Sequence, residues 1–297
     1  DVRISPTQGP AYLPCRSLVR GSAVASTGPD PWEEIHGPDA RFALHFPTMA
    51  VIWAKTKNET HFEVRRAGRS MRLYTNGVFH SQYNPANPIA GNVWNLLLLP
   101  AFFRPPGEIR RALVLGVGGG AVIRLLHHYI RPEQIIGVEL NPTHLYIARR
   151  FFGITERRAD LIEADAHEWL RRYRGPKFDL IVDDVFGESE GEPVRAIEAD
   201  RAWLATLARH LTDEGVLVMN FVSTRTLLEA NRIMQQSLPT RFARAFRLSL
   251  SGYENAVGAF VSEPVAARQL RQTLRTTAVL GRGNLRRLPY RIQCISP

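Results

Sequence analysis

The chain has 297 residues, 44% hydrophobic and 22% charged, with a formal net charge of +10 and a pI near 10.2. That is enough apolar material for one large domain or two small ones, and no run of about 20 uncharged apolar residues points to a membrane span. Cys15 and Cys294, near opposite ends, form neither a metal-ligand spacing nor a disulfide framework, so no metal is expected and a reducing, cytoplasmic setting is. The positive charge points towards anions, nucleic acid first among them. It is nearly all arginine, with lysine only at Lys55, Lys57 and Lys177, and it is spread along the sequence. An arginine-rich solvated surface explains that spread as well as a nucleic-acid patch does.

Residues 1–40 are rich in Pro, Gly and Ser without a period and read as an extended or disordered arm, with Trp32 and Ile35 available to dock on the body. The chain opens at Asp1 without Met and without a charged-then-apolar leader, which leaves a processed start open. Residues 41–90 form an alternating unit: FALHF, AVIWAKT, HFEVRR, SMRLYTNG and VFHSQ, broken at Asn58, Ala67-Gly68 and Asn76-Gly77. The Asn-Gly pair is a hairpin signal, so a small antiparallel β unit is expected. Asn84 to Ile89 reads as a connector, and Trp94 to Phe103 as a short apolar helix buried between the hairpins and the next sheet.

The organising stretch is Arg111 to Asn141, RALVLGVGGGAVIRLLHHYIRPEQIIGVELN. An apolar strand leads into Gly116, Gly118, Gly119 and Gly120, then a helix, then a second strand ending at Glu139. The glycines let a ligand approach the backbone, the helix N-terminus offers free N–H groups, and Glu139 is placed to accept from both ribose hydroxyls. The alternation continues with a helix from Pro142 to about Phe152, a strand Ala159 to Asp165, a helix Ala166 to Tyr173 and a strand Phe178 to Asp184. After the loop GESEGEP come a helix from about Ala196 to His210, a strand Gly215 to Val222, a helix Thr226 to Leu238, and two closing strands near Ala243 to Leu250 and Asn255 to Ser262. Residues 91–265 thus read as a Rossmann-like α/β domain, a doubly wound sheet with a reversed edge. Residues 266–297 form a basic tail that begins with a short helix from Ala266 to Arg275.

Two further acids end strands. Asp165, followed by Ala166, is placed to accept from an adenine amino group. Asp183 and Asp184 end the fourth strand and point to opposite faces, because side chains alternate along a strand. Carboxyl ends of parallel strands form the ligand crevice, so Glu139, Asp165 and Asp183 are expected to converge there.

The order hairpin unit, GVGGGAVIRLL, GVEL, EADA, FDLIVDD and GVLVMNFVS, from about Ala50 to Ser262, resembles the spermidine synthase (polyamine aminopropyltransferase) family of the S-adenosylmethionine-dependent methyltransferase fold class. The resemblance implies a small N-terminal β unit on a seven-stranded sheet, with a homodimer as an option. It implies a transferase using S-adenosylmethionine or its decarboxylated form as co-substrate and passing an alkyl, specifically aminopropyl, group to a small amine. Carried over, Gly116, Gly118 and Gly120 match the glycine turn, Glu139 the ribose acid, Asp165 with Ala166 the adenine side, and Asp183 the acid that orients or deprotonates the amine, with Asp184 as a second candidate base.

The sequence also departs from the family pattern. Gly119 stands where the glycine turn carries an aspartate, Phe186 where the second aspartate of the Asp-Ser-Ser-Asp-Pro motif falls, and His80 where glutamine is usual. No Asp or Glu occurs between Glu63 and Glu108, so the acidic connector has no counterpart. Glu188, Glu190 and Glu192 could replace the lost acids or belong to a solvated loop. Methyl transfer to a small molecule or nucleic acid, and a non-catalytic nucleotide-binding role, therefore stand as alternatives.

Overall fold

The structure, a computed structural model, describes residues 49–189, 192–276 and 288–296. These belong to one compact unit, Pro47–Pro297. The arm of residues 1–40, with Trp32, Ile35 and Cys15, and the first expected strand, FALHF, lie outside the described residues.

Four strands, β1 (Ala50–Lys57), β2 (Thr60–Ala67), β3 (Ser70–Thr75) and β4 (Val78–Tyr83), form an antiparallel sheet in chain order. The expected Asn76-Gly77 turn joins β3 to β4 with φ of 48° and 81°, the pair of positive angles that a two-residue hairpin matched to strand twist requires. The inward residues Phe62, Val64, Leu73 and Tyr83 share a core cluster with the apolar helix that follows. That helix is α1 (Val93–Leu98), continued by a 3-10 turn over Leu99–Phe103, and every residue of both is buried. Asn92 and Asn95 cap it reciprocally, which satisfies donors that a helix end otherwise leaves bare inside the protein.

The large sheet uses β5 (Arg111–Leu115), β6 (Gln134–Glu139), β7 (Asp160–Glu163), β8 (Phe178–Asp183), β11 (Leu211–Phe221), β12 (Arg244–Leu250), β13 (Ala256–Val261) and β14 (Tyr290–Cys294) in the order β14-β12-β13-β11-β8-β5-β6-β7. Strands β5, β6, β7, β8 and β11 run parallel, whereas β12, β13 and β14 pair antiparallel. The helices are α2 (Ala121–Tyr129), α3 (Pro142–Arg150), α4 (Ala166–Arg172), α5 (Arg201–His210), α6 (Thr224–Ser237) and α7 (Ala267–Thr276). From β5 the chain moves first through β6 and β7 on one side and then to β8 and β11 on the other. The strand order therefore reverses between β5 and β8, where a doubly wound sheet opens its ligand crevice.

Two expectations need correction. The sheet has eight strands, not seven, because Tyr290–Cys294 of the basic tail pairs with β12. Its alternation of Tyr290 and Ile292 with Arg291 and Gln293 lasts only five residues, too few to stand out as a period. The segment expected as the loop GESEGEP instead contributes to a hairpin, β9 (Phe186–Ser189) with β10 (Glu192–Arg195), pairing Phe186 with Arg195 and Glu188 with Pro193. This hairpin has almost no hydrophobic pattern and is held by the Arg195 contacts at its base and by a hydrogen bond from Asn76 to Glu188. Helix α5 also starts at Arg201, later than expected, where the Asp200 side chain accepts from the Trp203 N–H at 2.8 Å.

The glycine turn is packed as tightly as it is bent. Gly116 has φ +79°, and a Cβ there would lie 2.2 Å from the Asp184 carbonyl oxygen. Gly77 has a similar φ of +81° but open space around it. Gly116→Ala therefore carries a steric cost on top of the backbone cost, and should lower stability by at least about 2 kcal/mol more than Gly77→Ala. Urea unfolding of the two variants checks this, and equal midpoints would contradict it.

Candidate active site

A cavity of about 500 Å³ opens over the carboxyl ends of β5, β6, β7, β8 and β11 and is closed on one side by β4, α1 and the hairpin β9–β10. Of the sequence-predicted residues, Gly116, Gly118, Glu139, Asp165, Ala166 and Asp184 line it. Gly120 is not in the lining. With φ +84° it is the N-cap of α2, and a Cβ there would press on Ile154.

Glu139 ends β6 and is 8% exposed. Its Oε2 accepts from the N–H groups of Val117 at 3.0 Å and Gly118 at 2.9 Å, and its Oε1 from that of Asn141 at 2.9 Å. Burial pushes its pKa up, but the His144 imidazole 3.7 Å away and the Asn141 and Gly118 amides outweigh burial and hold it below the usual carboxylate range. His144 itself is fixed by a 2.9 Å hydrogen bond between its Nε2 and the Thr75 hydroxyl of β3. One carboxylate thus ties the glycine turn to the start of α3.

Asp165 sits at the cleft edge and N-caps α4, its Oδ1 accepting from the Glu168 N–H at 2.9 Å. Capping and cleft lining are compatible, since a carboxylate has more lone pairs than the cap uses.

The pair at the end of β8 divides differently from the expectation. Asp183 does not reach the cleft: it is fully buried and accepts from Arg195 at 2.8 Å and from the Trp203 indole N–H at 2.8 Å. Alternation along the strand turns it towards α5, and Asp184, one residue on, faces the cleft. Arg195 completes the arrangement by donating to the carbonyls of Asn220 at 2.6 Å and Ile197 at 3.1 Å.

The Asp184 carboxyl accepts from the Asn220 side chain at 2.8 Å, and Asn220 in turn accepts from the Asn255 amide at 3.2 Å. Burial raises the Asp184 pKa to about 7, helped by the neighbouring charge of Asp183 and opposed by Asn220, Arg195 and Trp94. A carboxyl group half protonated at neutral pH, facing a cleft, has the acidity that proton transfer requires.

The small sheet supplies His80 to the lining. It is the extra residue at an irregularity between β3 and β4, where Leu73 pairs with Ser81 but Tyr74 with Phe79, a bulge that re-aims its side chain. Burial, then His144, lowers its pKa to about 4, so it is neutral at pH 7. Glu188 of β9 also lines the cleft and accepts from Asn76 at 2.6 Å. Of the acids left open as substitutes, Glu190 lies outside the described residues, and Glu192 is exposed on β10 and absent from the lining.

Sequence reasoning missed Asn220, Asn255, Trp94 and His144. Asn220 was within reach, since it lies at the carboxyl end of a strand already predicted, the rule that picked out the acids. For Trp94 the apolar pattern of its helix indicates core packing alone.

No protein-family model matches the chain. Among curated proteins, polyamine aminopropyltransferase 2 of Caldanaerobacter subterraneus subsp. tengcongensis is 30% identical over 105 residues, 34% of this chain and 35% of that protein. The eEF1A lysine and N-terminal methyltransferase of Mus musculus is 28% identical over 120 residues, 37% of this chain and 17% of that protein. The chain therefore spans well under two thirds of the length of either relative. Among solved structures, a probable spermidine synthase from Corynebacterium glutamicum superposes with TM-score 0.63 at 16% identity, covering 82% of this chain and 91% of that one. The chain shares the fold of that structure, and over about a third of its length it is similar in sequence to a polyamine aminopropyltransferase.

Proposed function

We propose that the chain is an aminopropyltransferase-like enzyme that takes decarboxylated S-adenosylmethionine as donor and a small amine as acceptor. The observation that carries this reading is the charge of the cleft. Four carboxyl groups line it, Glu139, Asp165, Asp184 and Glu188, and no Lys or Arg does among the described residues, in a chain of net charge +10. A donor that keeps its α-carboxylate brings an anion into this enclosure with no cation to meet it, at a cost of several kcal/mol. A decarboxylated donor and a protonated amine bring only positive charge. The same lining disfavours a phosphate backbone as substrate.

The residues present fit such a donor. Glu139 would take the ribose hydroxyls, Asp165 and Ala166 the adenine edge, and the turn from Gly116 to Gly118 would let the nucleoside approach the backbone. When bound, the sulfonium supplies an electrophilic carbon and a neutral thioether as leaving group. The protein must then orient the amine, exclude water and accept its proton. Asp184 is the acceptor, since it faces the cleft with its pKa near 7. Asp183 acts on it only as a buried neighbouring charge. Neutral His80 and the apolar rings of Phe79 and Trp94 complete a wall that adds no cation.

One observation favours methyl transfer as the second reading. Gly119 stands where the family carries a donor-binding aspartate, and a Cβ there would lie 2.7 Å from Phe152 and 2.8 Å from Ser81. The lost carboxylate could not return without repacking. A non-catalytic nucleotide-binding role is the third reading, and turnover on an amine panel separates it from the other two.

Asp184→Asn should reduce aminopropyl transfer by at least about 100-fold while leaving donor binding within a few-fold. Asp183→Asn should instead leave Arg195 buried without its charge partner and cost about 3–5 kcal/mol of stability. Steady-state kinetics beside urea unfolding checks the division, and a stable, inactive Asp183→Asn with an active Asp184→Asn would reverse it. Glu139→Ala should abolish donor binding in calorimetry, and unchanged affinity would remove it from the ribose site.

The pH dependence has a fixed sign. A carboxyl group with its folded pKa raised from 3.8 to about 7 adds stability below pH 3.8 that is lost as pH rises through 7. Asp184→Asn should therefore be more stable than the parent above pH 7, although it is inactive. The kcat/KM of the parent should rise through about pH 7, and Asn220→Ala should move that limb to higher pH, because the Asn220 N–H favours the ionised form. A limb that stays in place in Asn220→Ala would show that another group sets it.

A further inference from the structure

The cleft accounts for none of the +10 charge, so the cations lie elsewhere, and five arginines gather in one place. An open depression of about 850 Å³ is lined by His127, Arg149, Ile154, Thr155, Glu156, Arg157 and Arg158, at the C-terminal ends of α2 and α3. Arg124 reaches the same turn, since a Cβ on Gly153 would lie 3.3 Å from its Nη1. Arg131 acts there as well, because the His127 pKa is held down by burial and then by Arg158, Arg124, Arg131 and His128. Among the described residues, none of Arg124, Arg131, Arg149, Arg157 and Arg158 is ion-paired with a carboxylate. The acids nearby are Glu156, exposed in the lining, and Asp160, which accepts from Gln134 at 2.7 Å.

Helix ends explain only part of this. Positive residues in the last turn offset the helix dipole, which covers His127, His128, Arg149 and Arg150. It does not cover Arg124, which lies over the Tyr83 ring at 4.5 Å, or Arg157 and Arg158 in the turn after α3, where Arg158 donates to the Gly153 carbonyl at 2.7 Å; neither contact brings a negative charge. Their mutual repulsion raises the free energy of the folded chain unless an anion relieves it. Guanidinium forks match the paired oxygens of carboxylate and phosphate alike, and several of them around one depression suit the higher charge of a polyphosphate. Ile154 is the one apolar residue of the lining and no Phe, Tyr or Trp belongs to it, so nothing stacks on a base and recognition falls on the charge itself.

We propose that the depression formed by Arg124, His127, Arg149, Arg157 and Arg158 is a binding site for a compact oligophosphate, such as a free triphosphate or the triphosphate of a nucleotide. It is separate from the acidic cleft, one helix length away along α2, about 13 Å, and does not depend on the reaction assigned to that cleft.

The test is calorimetric titration of the full chain with inorganic tripolyphosphate, orthophosphate, ATP and a 20-nucleotide single-stranded RNA at matched ionic strength. Tripolyphosphate and ATP should bind alike, at least 10-fold more tightly than orthophosphate. The double variant Arg149→Glu/Arg157→Glu should lose at least 10-fold for both while remaining folded, with a melting temperature close to the parent's, because both side chains are exposed. Arg149→Lys/Arg157→Lys, which keeps the charge without the fork, should fall between the two. Equal affinity in the parent and the Glu variant, or no preference for tripolyphosphate over orthophosphate, would overturn the site. RNA binding at least 10-fold tighter than tripolyphosphate through the same arginines would overturn the compact ligand in favour of a nucleic-acid backbone.

Discussion

The buried pair of Asp183 and Arg195 sets the geometry of the candidate site. An arginine taken out of water must have its donors met, and here every branch is used: Asp183, the Asn220 carbonyl and the Ile197 carbonyl. The same side chain lies over the rings of Phe221, 5.4 Å away, and Phe186, 5.9 Å away. It therefore fastens the base of the hairpin β9–β10 to the ends of β8 and β11, and the hairpin walls the cleft without a hydrophobic face of its own. Because Asp183 is committed inwards, strand alternation leaves Asp184 as the group that faces the cleft.

A cost follows from that placement. The Asp184 carboxyl, with its pKa raised to about 7, is held in surroundings that resist its charge, so its ionisation at neutral pH costs the fold stability. Glu139, two strands earlier in the chain at the end of β6, shows the opposite treatment: His144 and backbone amides hold its pKa down despite burial. Two carboxyl groups in one cleft are thus driven apart in acidity.

What was legible in the sequence follows from range. The glycine turn, the strand ends and the Asn-Gly hairpin depend on residues within a few positions of one another, and they stand where the pattern puts them. Glu139 and Asp165 were legible for the same reason. The partition between Asp183 and Asp184 was not, because alternation states that they point apart but not which face is the cleft; that depends on Arg195 and Trp203, 12 and 20 residues away. The hairpin β9–β10 was hidden because its anchor is an arginine and not an apolar stripe, and β14 because five residues cannot establish a period. The spread of arginine along the chain also concealed where they gather in space, since Arg124 and Arg158 become neighbours only where the turn after α3 meets α2.

The central claim is that an acid-lined cleft in a basic chain selects a donor without a carboxylate. It is tested most directly by calorimetric titration of the chain with decarboxylated S-adenosylmethionine and, separately, with S-adenosylmethionine. The account predicts at least 10-fold tighter binding of the decarboxylated compound, a difference of about 1.4 kcal/mol. Equal binding, or a preference for the carboxylated compound, would contradict it.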